Sequence, residues 1–488
     1  MIRRLKPYIL LAGLSAISVM GYLLSSYLYY RLGFPLDDAW IHQTYARNLV
    51  INGEWAFQLG IPSAGSTSPL WSGILGLGYL LGLGPYVWTY FLGWVFLFSI
   101  SALGFITFRK LCPNKGNWAL WVGVFLIFEW HMVWAATSGM ETLPFTFLIV
   151  MVLMLLTGGN TNWWILGLLI GLSVWMRPDG ITLAAPAFSC AILIPPNWRE
   201  RLLAVGKLVL GILLLFILYL AFNQSLSGNW WPNTFFAKQA EYAMLQQIPF
   251  ANRWLAQASL PLIGAGVLLL PGFLLFMACS LRNRVWGALM SILWVLGYLS
   301  VYAWRLPVTY QHGRYAMPAM AVYFLCSLSG IFCWLEPFSS FLWKRVVGKA
   351  YLLSFGIVLV SFWFIGAKAY SRDVAIIESE MVVTAHWIAA NTEADALIAA
   401  HDIGAIGYFS GRRLLDLAGL TTPDVIPFIG DEERLRMYLI EKRVNYLVTF
   451  PDWYPDLVEQ GKLVYSTNGS FSPAMGGENM SVYQWAIH

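Results

Sequence analysis

The chain has 488 residues, of which 58% are hydrophobic and 11% charged, and its mean hydropathy is +0.63. Soluble globular domains carry about 25% charged residues, so the composition excludes a soluble protein and defines an integral membrane one. The net charge of +5 comes from cations spread through loops, not from a cluster, so it does not point to nucleic acid.

Met1-Ile2-Arg3-Arg4-Leu5-Lys6 precedes an apolar run long enough to span a bilayer, which takes about 20 residues. A cleaved signal has a shorter apolar core and a small-residue cleavage site. We therefore expect an uncleaved first helix with its N-terminus in the cytoplasm. Apolar windows near 8–30, 85–108, 118–136, 142–157, 163–176, 181–195, 207–222, 259–281, 285–303, 315–335 and 350–370 make about eleven candidate spans. Residues 69–83 are apolar too. Reading them as a helix on the outer surface keeps Arg109, Lys110 and Lys115 inside, as the positive-inside rule requires. The same topology puts Arg3, Arg4, Lys6, Arg199, Arg201, Lys207, Arg282, Arg284, Lys344, Arg345 and Lys349 in the cytoplasm. Arg31, Arg47, Arg177, Lys238, Arg253, Arg305 and Arg314 fall outside, against the bias, either snorkelling or facing an anionic ligand. Cys112, Cys190, Cys279, Cys326 and Cys333 lie in or near spans without zinc-ligand spacing. We read them as packing residues and expect neither a disulfide framework nor a metal cluster.

The first outer loop, 31–84, contains Phe34-Pro35-Leu36-Asp37-Asp38-Ala39-Trp40. Carboxylates are costly beside hydrocarbon and mark a site by default; the plainer reading is acid at a helix start after Pro35. If a sugar hydroxyl is the acceptor, Asp37 and Asp38 can divide the work, one as base and one orienting the acceptor or a cation. Thr44-Tyr45-Ala46-Arg47-Asn48 and the turn Gly65-Ser66-Thr67-Ser68-Pro69 follow. Glu141 abuts a hydrophobic helix, where it either binds a sugar hydroxyl or complements the helix dipole. Arg177 either pairs with Asp179 or offers its donor fork to phosphate. In 229–238, aromatic residues surround Asn233 and Lys238, suited to sugar stacking and phosphate, or to an aromatic belt. Tyr310-Gln311-His312-Gly313-Arg314-Tyr315 opens a span with an Arg at the positive helix end. That is unfavourable unless an anion lies beside it, which makes Arg314 the leading phosphate ligand.

From about 371 charges become frequent and no apolar run is long enough to span. Strands are expected at 396–400, 414–417 and 446–449 and a helix at 431–442. His401-Asp402-Ile403-Gly404-Ala405-Ile406-Gly407 lacks dinucleotide-site spacing and reads as a tight strand-to-helix turn. The expected fold is an all-α polytopic membrane domain, 1–370, followed by a small extracytoplasmic α/β domain, 371–488.

Several segments together resemble the GT-C membrane glycosyltransferases, in particular the group that includes the mycobacterial terminal arabinofuranosyltransferase. The match is carried by Asp37-Asp38-Ala39, Tyr45-Ala46-Arg47-Asn48, Gly65-Ser66-Thr67-Ser68-Pro69-Leu70-Trp71, Ser138-Gly139-Met140-Glu141-Thr142 and Arg177-Pro178-Asp179-Gly180. Pro232-Asn233-Thr234-Phe235-Phe236-Ala237-Lys238, Gly313-Arg314-Tyr315, Asp402-Ile403-Gly404 and Asp416-Leu417-Ala418-Gly419-Leu420 extend it over nearly the whole chain. The resemblance implies an inverting transferase of the cell membrane, with Asp37 or Asp38 as catalytic acid in the first outer loop. It also implies a polyprenyl-phosphate-linked sugar donor and a glycan or lipid acceptor at the outer face. Arg314, Arg177 and Lys238 are the cations placed for the donor phosphate, and Glu141, His312, Asn233, Arg47 and Tyr45 complete the candidate donor site. No cofactor is required; a divalent cation is compatible with the acidic pair but not implied. The oligosaccharyltransferase signature is absent, because Trp230-Trp231 is followed by Pro232, and His42 departs from the smaller or apolar residue of relatives. The alternatives are a glycolipid transporter or flippase, or a non-catalytic glycan-binding membrane subunit. Polar motifs gathered at one face, without an inverted repeat, favour the transferase.

Overall fold

The computed structural model describes residues 2–158, 161–335 and 340–485. The Arg3 and Arg4 side chains and residues 486–488 of the expected C-terminal domain lie outside the described residues. Among the described residues six helices are long and apolar enough to cross a bilayer: Leu5–Tyr29, Pro85–Leu111, Trp198–Ser227, Trp286–Arg305, Met317–Trp334 and Leu342–Asn391. Two bent pairs, Pro113–Phe128 with Trp130–Thr137 (54°) and Phe250–Leu262 with Gly266–Arg282 (102°), raise the number to eight if each is one span. The three other expected spans are shorter apolar helices, Thr142–Thr157, Trp163–Met176 and Pro178–Leu193. The chain is a multi-pass membrane protein.

Local chemistry explains why 69–83 does not span and why one expected span is broken. The stretch 69–83 forms the helix Pro69–Leu80 of 12 residues, about 18 Å long and too short for about 30 Å of hydrocarbon. Within 118–136 the helix breaks at Glu129. That residue is extended, and its carboxylate accepts the Met132 N–H at 3.2 Å and holds His131 Nδ1 at 2.7 Å. The acid caps a new helix instead of continuing the old one. The cysteine reading is corrected at one pair. Cys112 and Cys333 end neighbouring helices with their Cα atoms 6.7 Å apart and are joined by a disulfide; Cys190, Cys279 and Cys326 are free.

Small residues set a close helix crossing. A Cβ at Gly211 would meet the Trp164 carbonyl oxygen at 2.7 Å and Gly167 Cα at 3.0 Å. Trp163–Met176 and Trp198–Ser227 therefore pack backbone to backbone. Met317–Trp334 is buried almost throughout, whereas Leu342–Ile377 exposes Leu353, Ile357, Val360 and Phe364 at helical spacing, as a lipid-facing helix does. That helix crosses residue 371 without a break. It passes through a π-helical turn, Glu378–Val382, into Val383–Asn391, so one rod joins the bundle to the C-terminal domain.

The first loop holds a short hairpin of β1 (Ala56–Gln58) and β2 (Ile61–Pro62). The C-terminal sheet comprises β3 (Leu397–Ala400), β4 (Arg413–Asp416), β5 (Tyr446–Thr449), β6 (Gly461–Ser466) and β7 (Ser481–Trp485) in the order β4-β3-β5-β7-β6. β3 runs parallel to β4 and β5, and β7 antiparallel to β5 and β6. The expected helix is Glu432–Glu441, with Asp431 capping it by accepting the Arg434 N–H at 3.1 Å. β6 and β7 were not anticipated; β6 is largely exposed and lacks an apolar run. Alternate residues divide the sheet between two cores. Ile398, Ala400, Leu414, Val448 and Val482 join the core that runs through the bundle. Ala399, Leu415, Leu447 and Tyr483 pack with Leu435 and Leu439 on the other face. The core of one sheet face thus continues into the bundle.

Candidate active site

The first loop folds into the helix Asp38–Asn52, most of whose residues are buried, so its polar groups must find protein partners. Gln43 Nε2 donates to Thr89 Oγ1 at 2.9 Å. His42 Nδ1 lies 3.1 Å from Ser72 Oγ and 3.3 Å from Ser66 Oγ, and its Nε2 lies 3.3 Å from Glu141 Oε2. The Tyr45 hydroxyl meets Ser63 Oγ at 2.6 Å and accepts the Gly65 N–H at 3.0 Å. Arg47 donates to the Tyr408 carbonyl at 2.7 Å and lies 4.5 Å over its ring. Tyr45 therefore fastens the loop to itself, and Arg47 fastens it to the C-terminal domain.

The acidic pair is divided. Asp37 is buried, and its Oδ2 and Oδ1 accept the N–H groups of Gly404 and Ala405 at 2.6 and 2.8 Å. These open the helix Gly404–Phe409, the tight strand-to-helix turn expected there. A Cβ at Gly404 would overlap the Asp37 carbonyl oxygen and meet Oδ2 at 2.7 Å, so this close approach requires glycine. Asp38 faces the other way. Its Oδ2 is 2.7 Å from Arg314 Nη2 and 3.7 Å from Lys238 Nζ, and its side chain is 33% exposed.

Asp38 stands in the wall between two cavities. The first is bounded by Glu141, Arg177, Lys238, Arg305, Arg314 and Tyr315, with Asp38 itself. The second, of about 500 Å³, is bounded by Asp37, Asp38, Trp134, His312, Asp373 and Asp402, among others. One is rich in cations and the other in carboxylates.

Arg314 is buried. Its Nη2 also donates to the Tyr315 hydroxyl at 3.0 Å, while Nε and Nη1 have no protein partner. Lys238 Nζ donates to the same hydroxyl at 2.7 Å. The anion expected beside Arg314 is, within the protein, the Asp38 carboxylate, and two guanidinium nitrogens, Nε and Nη1, remain over. Burial raises the Asp38 carboxyl, but Lys238 and Arg314 outweigh it and hold the group well below the usual carboxylate range. Burial likewise raises the Tyr315 phenol, and Arg314 and Lys238 again outweigh it, so it sits below its ordinary value.

Arg177 is differently committed. It donates to Glu141 Oε1 at 2.7 Å, Asp179 Oδ2 at 3.0 Å and the Tyr302 hydroxyl at 3.2 Å. Glu141 is fully buried and links Arg177 to His42. Asn233 is buried and donates to the Leu420 carbonyl at 3.3 Å; its helix reaches the first cavity through Thr234, Phe235 and Lys238. His312 faces the second cavity, with Nε2 2.8 Å from Asp373 Oδ2, which also accepts Trp134 Nε1–H at 2.9 Å. Gln311 and His312 have φ of +52° and +57°, a strained pair of left-handed residues. Tyr302, Tyr315 and Asp373 were missed as site residues. Adjacency to Arg314 was the one signal for Tyr315, and Asp373 lies just past the expected end of the last span. Among the described residues no group of three or more His, Cys, Asp or Glu side chains is arranged to hold a metal ion.

Over nearly its whole length the chain has the GT-C membrane glycosyltransferase fold of the solved structures it matches. Apo ArnT from Cupriavidus metallidurans is similar over 97% of this chain and 98% of its own, at 14% identity and TM-score 0.59. The same protein bound to undecaprenyl phosphate covers 96% and 97%, at 14% identity and TM-score 0.58. The oligosaccharyltransferase of Archaeoglobus fulgidus, tethered to an acceptor peptide, covers 98% of this chain and 74% of its own, at 13% identity and TM-score 0.61. Residues 372–483 match the family described as a domain of unknown function, DUF8728. No curated protein matches the sequence.

Proposed function

We propose that the protein is an inverting membrane glycosyltransferase that moves a sugar from a polyprenyl-phosphate donor to a hydroxyl acceptor, with Asp38 as base. The carrying observation is Asp38 in the wall between the two cavities, 2.7 Å from an Arg314 with two unpartnered guanidinium nitrogens. The donor phosphate occupies the first cavity against Arg314 and Lys238, and the acceptor occupies the second. Asp38 takes the hydroxyl proton as that oxygen bonds to the anomeric carbon. The bond from this carbon to the phosphate oxygen breaks, and the cations stabilise the charge gained by the leaving polyprenyl phosphate. Binding of undecaprenyl phosphate by a protein of the same fold supports the donor class. Arg177, Glu141 and His42 hold the cavity wall. The site, the unit 371–488 and this chemistry lie on the extracytoplasmic face; Arg109, Lys110, Arg199, Arg201, Arg282 and Arg345, at the far ends of their helices, support that orientation.

Transfer by the purified protein from a polyprenyl-phosphate sugar tests the proposal. Asp38→Asn lowers kcat by about 10³, while Asp37→Asn lowers thermal stability more than kcat. Full transfer by Asp38→Asn sinks the assignment.

A further inference from the structure

An apolar groove on the membrane bundle stands apart from the candidate active site and is independent of the glycosyltransferase reading. A groove of about 860 Å³ runs between the helix Ala119–Phe128 with its preceding turn and the rod Leu342–Ile377. Trp118, Trp121, Phe125, Leu352, Gly356 and Trp363 are among its walls, and Asn117 is its one polar lining residue. Asn117 to Phe128 rises about 17 Å, roughly one leaflet of a hydrocarbon core about 30 Å thick.

The pattern on the rod identifies an occupant. Residues 345, 349, 352, 356, 359 and 363 follow at intervals of three and four, so they share one helix face. The last four line the groove, and the first two are the exposed Arg345 and Lys349. On the other wall, Lys115 lies two residues before Asn117. Beyond the lining of an apolar trough of one-leaflet length, the next positions are thus cations: Lys115 on one wall, and Lys349 and Arg345 on the rod. Gly356 opens the trough: a Cβ there meets no atom within 4 Å.

We infer that this groove binds an anionic phospholipid, its acyl chain along Gly356 and its phosphate at Lys115, Arg345 and Lys349. The occupant belongs to the leaflet opposite the one that faces the C-terminal domain.

Native mass spectrometry of the full-length protein tests this, with equimolar phosphatidylglycerol and phosphatidylcholine supplied in detergent. The wild type is expected to retain one phosphatidylglycerol with at least tenfold preference. Gly356→Phe, which fills the trough from a position with open space, lowers retention at least tenfold. Gly297→Phe, at another glycine with nothing within 4 Å, leaves it unchanged. The exposed-residue variant Arg345→Gln/Lys349→Gln, combined with Lys115→Gln, keeps a lipid but loses the preference. Equal retention of the two lipids by the wild type overturns the anionic class. Undiminished retention by Gly356→Phe overturns the groove, and an unchanged preference in the triple variant overturns the headgroup site.

Discussion

Arg177 directs Nε, Nη1 and Nη2 to Asp179, Glu141 and Tyr302, whereas Arg314 has Nη2 engaged and Nε and Nη1 open. The two guanidiniums read alike in sequence, both outer-side cations beside a span, but only contacts across the fold separate them. Arg177→Gln strands the fully buried Glu141 and is expected to cost about 3–5 kcal/mol in stability, read by chemical denaturation. Arg314→Gln leaves Asp38 partly exposed and near Lys238, so its larger effect is expected on the donor: KM rises at least tenfold in a transfer assay. A denaturation midpoint for Arg177→Gln equal to the wild type would refute its structural role. At this scale the sequence showed two adjacent acids able to divide the work, but not which neighbours each of them meets. Adjacent residues at a helix start point to different neighbours, and those neighbours lie far along the chain.

The helix Gly404–Phe409 shows what element-level reading reaches and misses. Its turn was legible from the glycines after a strand, as were β3, β4, β5 and the capped helix Glu432–Glu441. Its partner was not, because the Asp37 contact spans 367 residues of sequence and leaves no local pattern. The approach makes Gly404→Ala a sharp probe. The added methyl overlaps the Asp37 backbone, and we expect a loss of about 1–3 kcal/mol, seen as lower thermal stability and faster proteolysis at the junction. Wild-type resistance to protease in Gly404→Ala would show that the contact is dispensable. The broken helix at Glu129 was missed for a related reason: hydropathy averages over a window and does not register one acid that caps a new start.

Across the whole molecule, the junction of domain and bundle titrates. Burial raises the Asp37 carboxyl, as does the Asp402 charge, against the Gly404 and Ala405 N–H donors that lower it; burial also raises Asp402. Acids raised in the folded state bind protons more tightly there than in the unfolded chain, whose value is about 3.9. Their stabilising contribution is full below about pH 4 and is lost as pH rises through the folded values. Asp38 has the opposite sign, stabilising above about pH 4 and losing that contribution only in stronger acid. We expect Gly404 and Ala405 amide protection, corrected for intrinsic exchange, to be higher at pH 5 than at pH 8, and Asp37→Asn to flatten the difference. Protection that rises with pH would contradict the assignment. The multi-pass bundle and the α/β domain were legible from composition and periodicity; the way they join was not, since a continuous rod and a sheet buried on the bundle have no signature in either segment alone. That junction bears on how the protein comes into being. A ribosome completes the first loop long before it reaches residue 404, so Asp37 waits with its partner unmade while ten or so further hydrophobic segments are inserted. A chain terminated before residue 404 therefore lacks the Gly404 and Ala405 amides that hold its first loop.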